Sequence, residues 1–149
     1  VLIQTTRVCN ELTYAKDLVA SLEHDPLVGE YVKQLKFYPM TTREPSEYMG
    51  RITTVMESGA FFERTGLPKI NPTEDRVMIC GSMAMLKDCA RICETFGLVE
   101  GANNAPATYV VERPLWDKEQ PVLQNKRCSF VFNFSIPIDM RKHFNKFSL

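Results

Sequence analysis

The sequence predicts an α/β domain built on a parallel sheet, because short apolar runs alternate with segments of helical periodicity. Val1-Leu2-Ile3 opens as a strand-like run ahead of a helix-periodic segment. Arg76-Val77-Met78-Ile79-Cys80 repeats the pattern: it meets Gly81-Ser82 and gives way to Met85, Leu86, Cys89, Ile92, Cys93 and Phe96 at helical spacing. Tyr109-Val110-Val111-Glu112 is a further short strand. Ligands of such sheets lie beyond the carboxyl ends of the strands, so the chemistry belongs near Thr5–Arg7, Thr41–Arg43 and Cys80–Ser82.

From Glu11 to Leu22 the apolar positions Leu12, Ala15, Leu18, Val19 and Leu22 predict a helix, with Asn10 available as its N-cap. Leu35 to Met40 is a short extended run that ends at Pro39 and Thr41-Thr42, a strand running out into the loop Arg43 to Gly50. Arg51 to Arg64 carries Ile52, Val55, Met56, Phe61 and Phe62, broken near Ser58-Gly59, and fits two short helical turns. Leu67-Pro68 and Asn71-Pro72 close that segment. The helix after Cys80 stops at Gly97, and a loop containing Gly101 and Pro106 leads to the Tyr109 strand. From Lys118 the chain is basic and holds the alternating run Phe130, Phe132, Phe134 and Ile136, which reads as a separate tail.

A length of 149 residues fits one domain. Eighteen basic side chains cancel eighteen acidic ones, so no overall field favours nucleic acid or an anionic membrane. Any anion site is therefore local. No apolar run approaches the roughly 20 residues that span a bilayer, and the start lacks the zones of a signal peptide, so the chain reads as cytoplasmic. It begins without Met directly in a strand-like run, which reads as a start in mid-domain. Five cysteines, Cys9, Cys80, Cys89, Cys93 and Cys128, form no CxxC pair and argue against a disulfide framework or a zinc site. Cys89 and Cys93, four apart, read as small core hydrophobes on one helix face.

Three arginines follow or flank strand ends: Arg7, Arg43 and Arg51. Converging guanidinium groups are what recognition of a phosphate demands, although on spacing alone each reads first as a solvated surface charge. Cys80-Gly81 stands where a strand breaks into a helix; glycine lets backbone approach a ligand there, and a helix N-terminus favours anions. No histidine neighbours Cys80 in sequence, so a packing or hydride-site role is preferred to a nucleophilic one.

The string Asp75-Arg76-Val77-Met78-Ile79-Cys80-Gly81-Ser82-Met83-Ala84-Met85-Leu86-Lys87-Asp88 resembles the strand and nicotinamide-side loop of bacterial-type ferredoxin (flavodoxin)-NADP reductases. Tyr38-Pro39-Met40-Thr41-Thr42-Arg43-Glu44-Pro45 with Gly50-Arg51-Ile52-Thr53 is similar to their adenosine 2′-phosphate loop. Thr6-Arg7 with Glu11-Leu12-Thr13-Tyr14 resembles the preceding strand end and helix, and Tyr109-Val110-Val111-Glu112-Arg113 the closing strand. The resemblance implies a partial Rossmann-like sheet over residues 1–113, an atypical tail over 114–149, and an absent N-terminal FAD domain.

It further implies that Arg7, Arg43 and Arg51 clamp the 2′-phosphate of NADP, with Thr42 as a nearby hydroxyl donor. Cys80 becomes the candidate catalytic residue, lying with Gly81 and Ser82 beside the nicotinamide during hydride exchange with the flavin. Electrons would then pass between NADPH and ferredoxin or flavodoxin through FAD, with no role for nucleic acid or membrane. Two alternatives stay open: an NADP-binding or interaction module without turnover, and another member of the flavin reductase superfamily. Tyr14 and Met85 read as core residues. The chain departs from the family's pattern at Met83, where proline is frequent, at Pro114-Leu115, and in the absent glycine-rich pyrophosphate loop. The strand carrying that loop is central in the family, so the Val1 and Arg76 strands lack a shared neighbour. The Phe130–Ile136 run either fills that gap or dangles, and Pro137 directly after it favours dangling.

Overall fold

In a computed structural model the described residues are 1–102, 105, 107–112 and, as backbone, 129–135. They form β1 (Leu2–Thr6), α1 (Thr13–Ser21), β2 (Phe37–Thr41), β3 (Tyr48–Met49), α2 (Ile52–Glu57), α3 (Ala60–Thr65), β4 (Asp75–Cys80), α4 (Met83–Thr95), β5 (Tyr109–Glu112) and β6 (Ser129–Ser135). Short 3₁₀ turns precede and follow α1, at Cys9–Leu12, Leu22–His24 and Gly29–Gln34. None of the described helices is long and apolar enough to cross a membrane.

The six strands form one sheet in the order β3-β2-β1-β6-β4-β5. β1 pairs with β2, β2 with β3 and β4 with β5, each in parallel. β6 alone is antiparallel to its neighbours, pairing Leu2 with Phe132 on one side and Met78 with Phe132 on the other. The expected α/β sheet is present, and the gap between β1 and β4 is closed. The dangling arrangement favoured on the strength of Pro137 is therefore corrected: β6 satisfies the backbone groups that both central strands would leave unpaired. The remainder of the 114–149 tail, with Cys128, lies outside the described residues.

One face of the sheet carries the main core. Ile3, Tyr38, Met40, Val77 and Ile79 alternate onto that face and pack with Ile52, Val55 and Met56 of α2, Phe61 and Phe62 of α3, and Leu86, Cys89, Ile92 and Cys93 of α4. Edge-to-face contacts run Tyr48–Tyr38–Phe61–Phe62–Phe96 and bind β2 to α3 and the end of α4. The break between α2 and α3 falls where the glycine expectation put it: Gly59 adopts φ 79°. Desolvation, above all, pushes the Cys89 and Cys93 thiols up to about 12, as expected for core thiols.

Two expectations around α1 fail. Asn10 does not cap the helix, because the chain is already coiled in the Cys9–Leu12 turn and α1 grows out of it without a side-chain cap. Tyr14 is 73 % exposed, since the buried stripe here is Leu12 and Ala15, and Tyr14 precedes Ala15 on the outer side of it. Met85 is half-buried against the core.

Candidate functional site

The carboxyl ends of β1 and β2 continue their ladder beyond the last paired residues. Thr6 pairs with Thr41, then the Thr42 amide donates to the Thr6 carbonyl at 3.0 Å and the Arg43 amide to the Arg7 carbonyl at 2.9 Å. The backbones of Arg7 and Arg43 are thus hydrogen-bonded neighbours on adjacent strand ends. Two carboxylates hold the turn after β1: Glu11 accepts from the Arg7 amide at 2.9 Å, and Glu44 from the Cys9 amide at 2.6 Å. The Thr41 hydroxyl donates to the Glu44 carbonyl and lies 2.7 Å from the Ser46 hydroxyl, whose oxygen is 3.1 Å from the Tyr48 carbonyl.

Arg51 reaches the same edge by a different route. The Gly50 amide donates to the Thr41 carbonyl at 2.8 Å, which ties the end of β3 to the end of β2. Gly50 takes φ 135°, and a Cβ there would stand 2.9 Å from Val55 Cγ1. That turn delivers Arg51 in an extended conformation as the residue before α2, while Arg64 Nη1 donates to the Met49 carbonyl at 3.2 Å. With the described residues, the guanidinium groups of Arg7, Arg43 and Arg51 make no hydrogen bond or ion pair. Three arginines therefore share one edge with their guanidinium groups in no hydrogen bond or ion pair with described residues. The Thr42 hydroxyl is committed to the Thr6 carbonyl at 3.1 Å.

Cys80, Gly81 and Ser82 stand at the carboxyl end of β4. Because β6 is antiparallel to both β1 and β4, those two strands run the same way, and Cys80 lies on the same edge as Arg7. Gln4 and Cys80 both register with Phe130, so the β1 and β4 ends are two strand spacings, roughly 10 Å, apart. Ser82 is extended at the start of α4, and the Leu86 amide closes the first turn on the Ser82 carbonyl at 2.8 Å. Gly81 is buried and Cys80 half-buried. Desolvation, then Glu112, raises the Cys80 thiol, which keeps it protonated and unsuited to nucleophilic attack.

The order of strands reverses between β1 and β4: the β1 branch runs on to β2 and β3, the β4 branch to β5. Crevices at such reversals are where open α/β sheets bind ligands. Here β6 occupies the reversal, and Ser129 enters it from the ligand edge opposite Thr5. The sequence pattern missed Glu11, Glu44 and Ser46 as parts of this edge. Glu11 stands four residues after Arg7, a spacing that could have pointed to it; Glu44 reaches across 35 residues and left no local signal.

No family model matches the chain. It is 46 % identical over 114 residues to the flavodoxin/ferredoxin–NADP reductase of Rhodobacter capsulatus, covering 76 % of this chain and 42 % of that protein. It is 38 % identical over 138 residues to ferredoxin–NADP reductase A of Sorangium cellulosum, covering 92 % and 50 % respectively. A solved ferredoxin NADP+ reductase from Neisseria gonorrhoeae, with FAD and NADP bound, superposes with a TM-score of 0.57 at 26 % identity, over 74 % of this chain and 42 % of that one. The chain spans about half the length of the curated relatives it matches.

Proposed function

Because the chain belongs to the ferredoxin–NADP reductase family, we propose that it is the NADP-recognising part of an oxidoreductase that moves electrons between NADPH and ferredoxin or flavodoxin through FAD. The observation that carries this reading is the set of Arg7, Arg43 and Arg51, brought to one sheet edge with their guanidinium groups unengaged by described residues. A 2′-phosphate presents up to two negative charges and oxygens that planar guanidinium groups bind in pairs. NAD lacks that phosphate and gains nothing from the clamp.

In this reading Arg7, Arg43 and Arg51 anchor the adenosine end, and the nucleotide runs along the carboxyl edge to Cys80, Gly81 and Ser82. Gly81 admits the nicotinamide close to backbone, and the protonated Cys80 thiol packs beside it without competing chemistry. FAD, when bound, supplies the step between hydride transfer and single-electron transfer. Residues 1–113 are the recognition unit, residues 114–149 a C-terminal addition that contributes β6, and the flavin domain a separate element. A cytoplasmic setting with reduced thiols accompanies the reading.

One observation favours a second reading, an NADP-binding module without turnover. β6 enters the reversal antiparallel, so its own carboxyl end lies on the opposite edge and leads no helix toward a pyrophosphate on the ligand edge. Titration with NADP and NAD tests the shared part of both readings: equal affinity for the two would overturn it. Adding NADPH, ferredoxin and a supplied flavin domain separates them, because only the first reading expects turnover.

A further inference from the structure

We propose that Glu44 is a positioning residue for discrimination of the 2′-phosphate, a proposal that rests on the arginine clamp described above. The two turns that carry Arg7 and Arg43 are tied at their base by the Thr42 and Arg43 amides. Beyond those bonds they would be free to splay, and the positive charge of three arginines at one edge supplies the repulsion to do it. Glu44 holds the outer part: its carboxylate, on the β2 turn, accepts from the Cys9 amide on the β1 turn at 2.6 Å. Its backbone is anchored in turn, because its carbonyl accepts from the buried Thr41 hydroxyl. The side chain therefore spans the two turns from a fixed base. A carboxylate so placed also offsets part of the cationic repulsion while no phosphate is bound.

Preorganisation of this kind acts on the phosphate-dependent part of binding and leaves adenosine contacts alone. The experiment uses calorimetric titration of the full chain with adenosine 2′,5′-bisphosphate and with 5′-AMP, reading the ratio of the two affinities. Glu44→Ala lowers that ratio by about fivefold. Glu44→Gln keeps an oxygen acceptor for the Cys9 amide and stays within about twofold of the unaltered ratio. Cys9→Pro removes the same bond from the donor side. Proline suits that site, the first residue of a turn preceded by Val8 at φ −136° and ψ 158°. It lowers the ratio as Glu44→Ala does.

An unchanged ratio in Glu44→Ala or in Cys9→Pro overturns the proposal, as does a Glu44→Gln chain as impaired as Glu44→Ala. Arg43→Ala separates this failure from that of the site itself. If Arg43→Ala leaves the ratio unchanged, or the unaltered chain prefers neither nucleotide, the clamp is wrong. If Arg43→Ala collapses the ratio while Glu44→Ala does not, only the role of Glu44 falls.

Discussion

The Arg43 amide donates to the Arg7 carbonyl at 2.9 Å, so the backbones of two cationic residues 36 positions apart in sequence meet at one sheet edge. Replacing Arg43 with alanine should cost about 1.5–3 kcal/mol in binding of NADP, the range for hydrogen bonds to charged groups, and almost nothing in binding of NAD. The loss should shrink as salt is raised, since an exposed clamp is screened. Isothermal titration at two ionic strengths checks both points, and an equal loss for the two nucleotides would refute them.

Val131 registers with Ile3 on one side of β6 and with Ile79 on the other. Val131→Pro should destabilise the chain by about 3 kcal/mol or more, because proline removes a ladder donor in a central strand. A chain ending at Asp117 should aggregate more than the full one, as two strand edges open to pairing. Thermal unfolding and light scattering measure these effects; a truncated chain that stays in solution better than the full one would refute the central placement of β6.

Gly50→Ala should weaken both fold and clamp. The turn requires φ 135°, and the new Cβ would press on Val55 Cγ1, a buried side chain with little room to give. The expected cost is about 1–3 kcal/mol of stability. Phosphate discrimination should fall too, because Arg51 is the next residue. Denaturant unfolding alongside nucleotide titration tests the pair of effects, and a variant with unaltered midpoint and unaltered discrimination contradicts them.

Cys89 and Cys93 should make the fold sensitive to alkali. Their thiols rise from 9.0 to about 12 in the folded chain, so the unfolded chain releases protons first as pH climbs. Their contribution is fully present below pH 9.0 and is lost between that value and about 12. The slope is about 1.4 kcal/mol per pH unit for each thiol. Unfolding free energies at increasing pH should fall less steeply in a Cys89→Val, Cys93→Ala chain. Identical slopes would show that these thiols are not the source.

Much of this molecule could be read from local pattern. β4, the turn at Gly81 and α4 follow from an apolar run that changes period within a few residues, whereas Arg7 and Arg43 follow strand ends but on spacing alone read first as surface charges, and only the family resemblance joined them. What escaped the sequence is non-local. β6 pairs with strands laid down far earlier, and Pro137 beside it pointed the other way. β3 is two residues long, too short for any periodicity, and Glu44 matters because of an amide 35 residues away. Tyr14 was misplaced because α1 buries a stripe narrower than its apolar residues suggest.

The position of β6 also governs when this sheet can exist during synthesis. Until Ser129–Ser135 has been made, β1–β2–β3 and β4–β5 are two separate parallel pieces with no shared ladder. A ribosome releases the chain from its amino end, so the piece bearing Arg7, Arg43 and Arg51 emerges before β6 and waits for it. Joining Leu2 to Phe132 closes a loop of about 130 residues, a slow event that local helices cannot hasten. The nascent sheet is therefore most exposed to mispairing until Ser129–Ser135 appear.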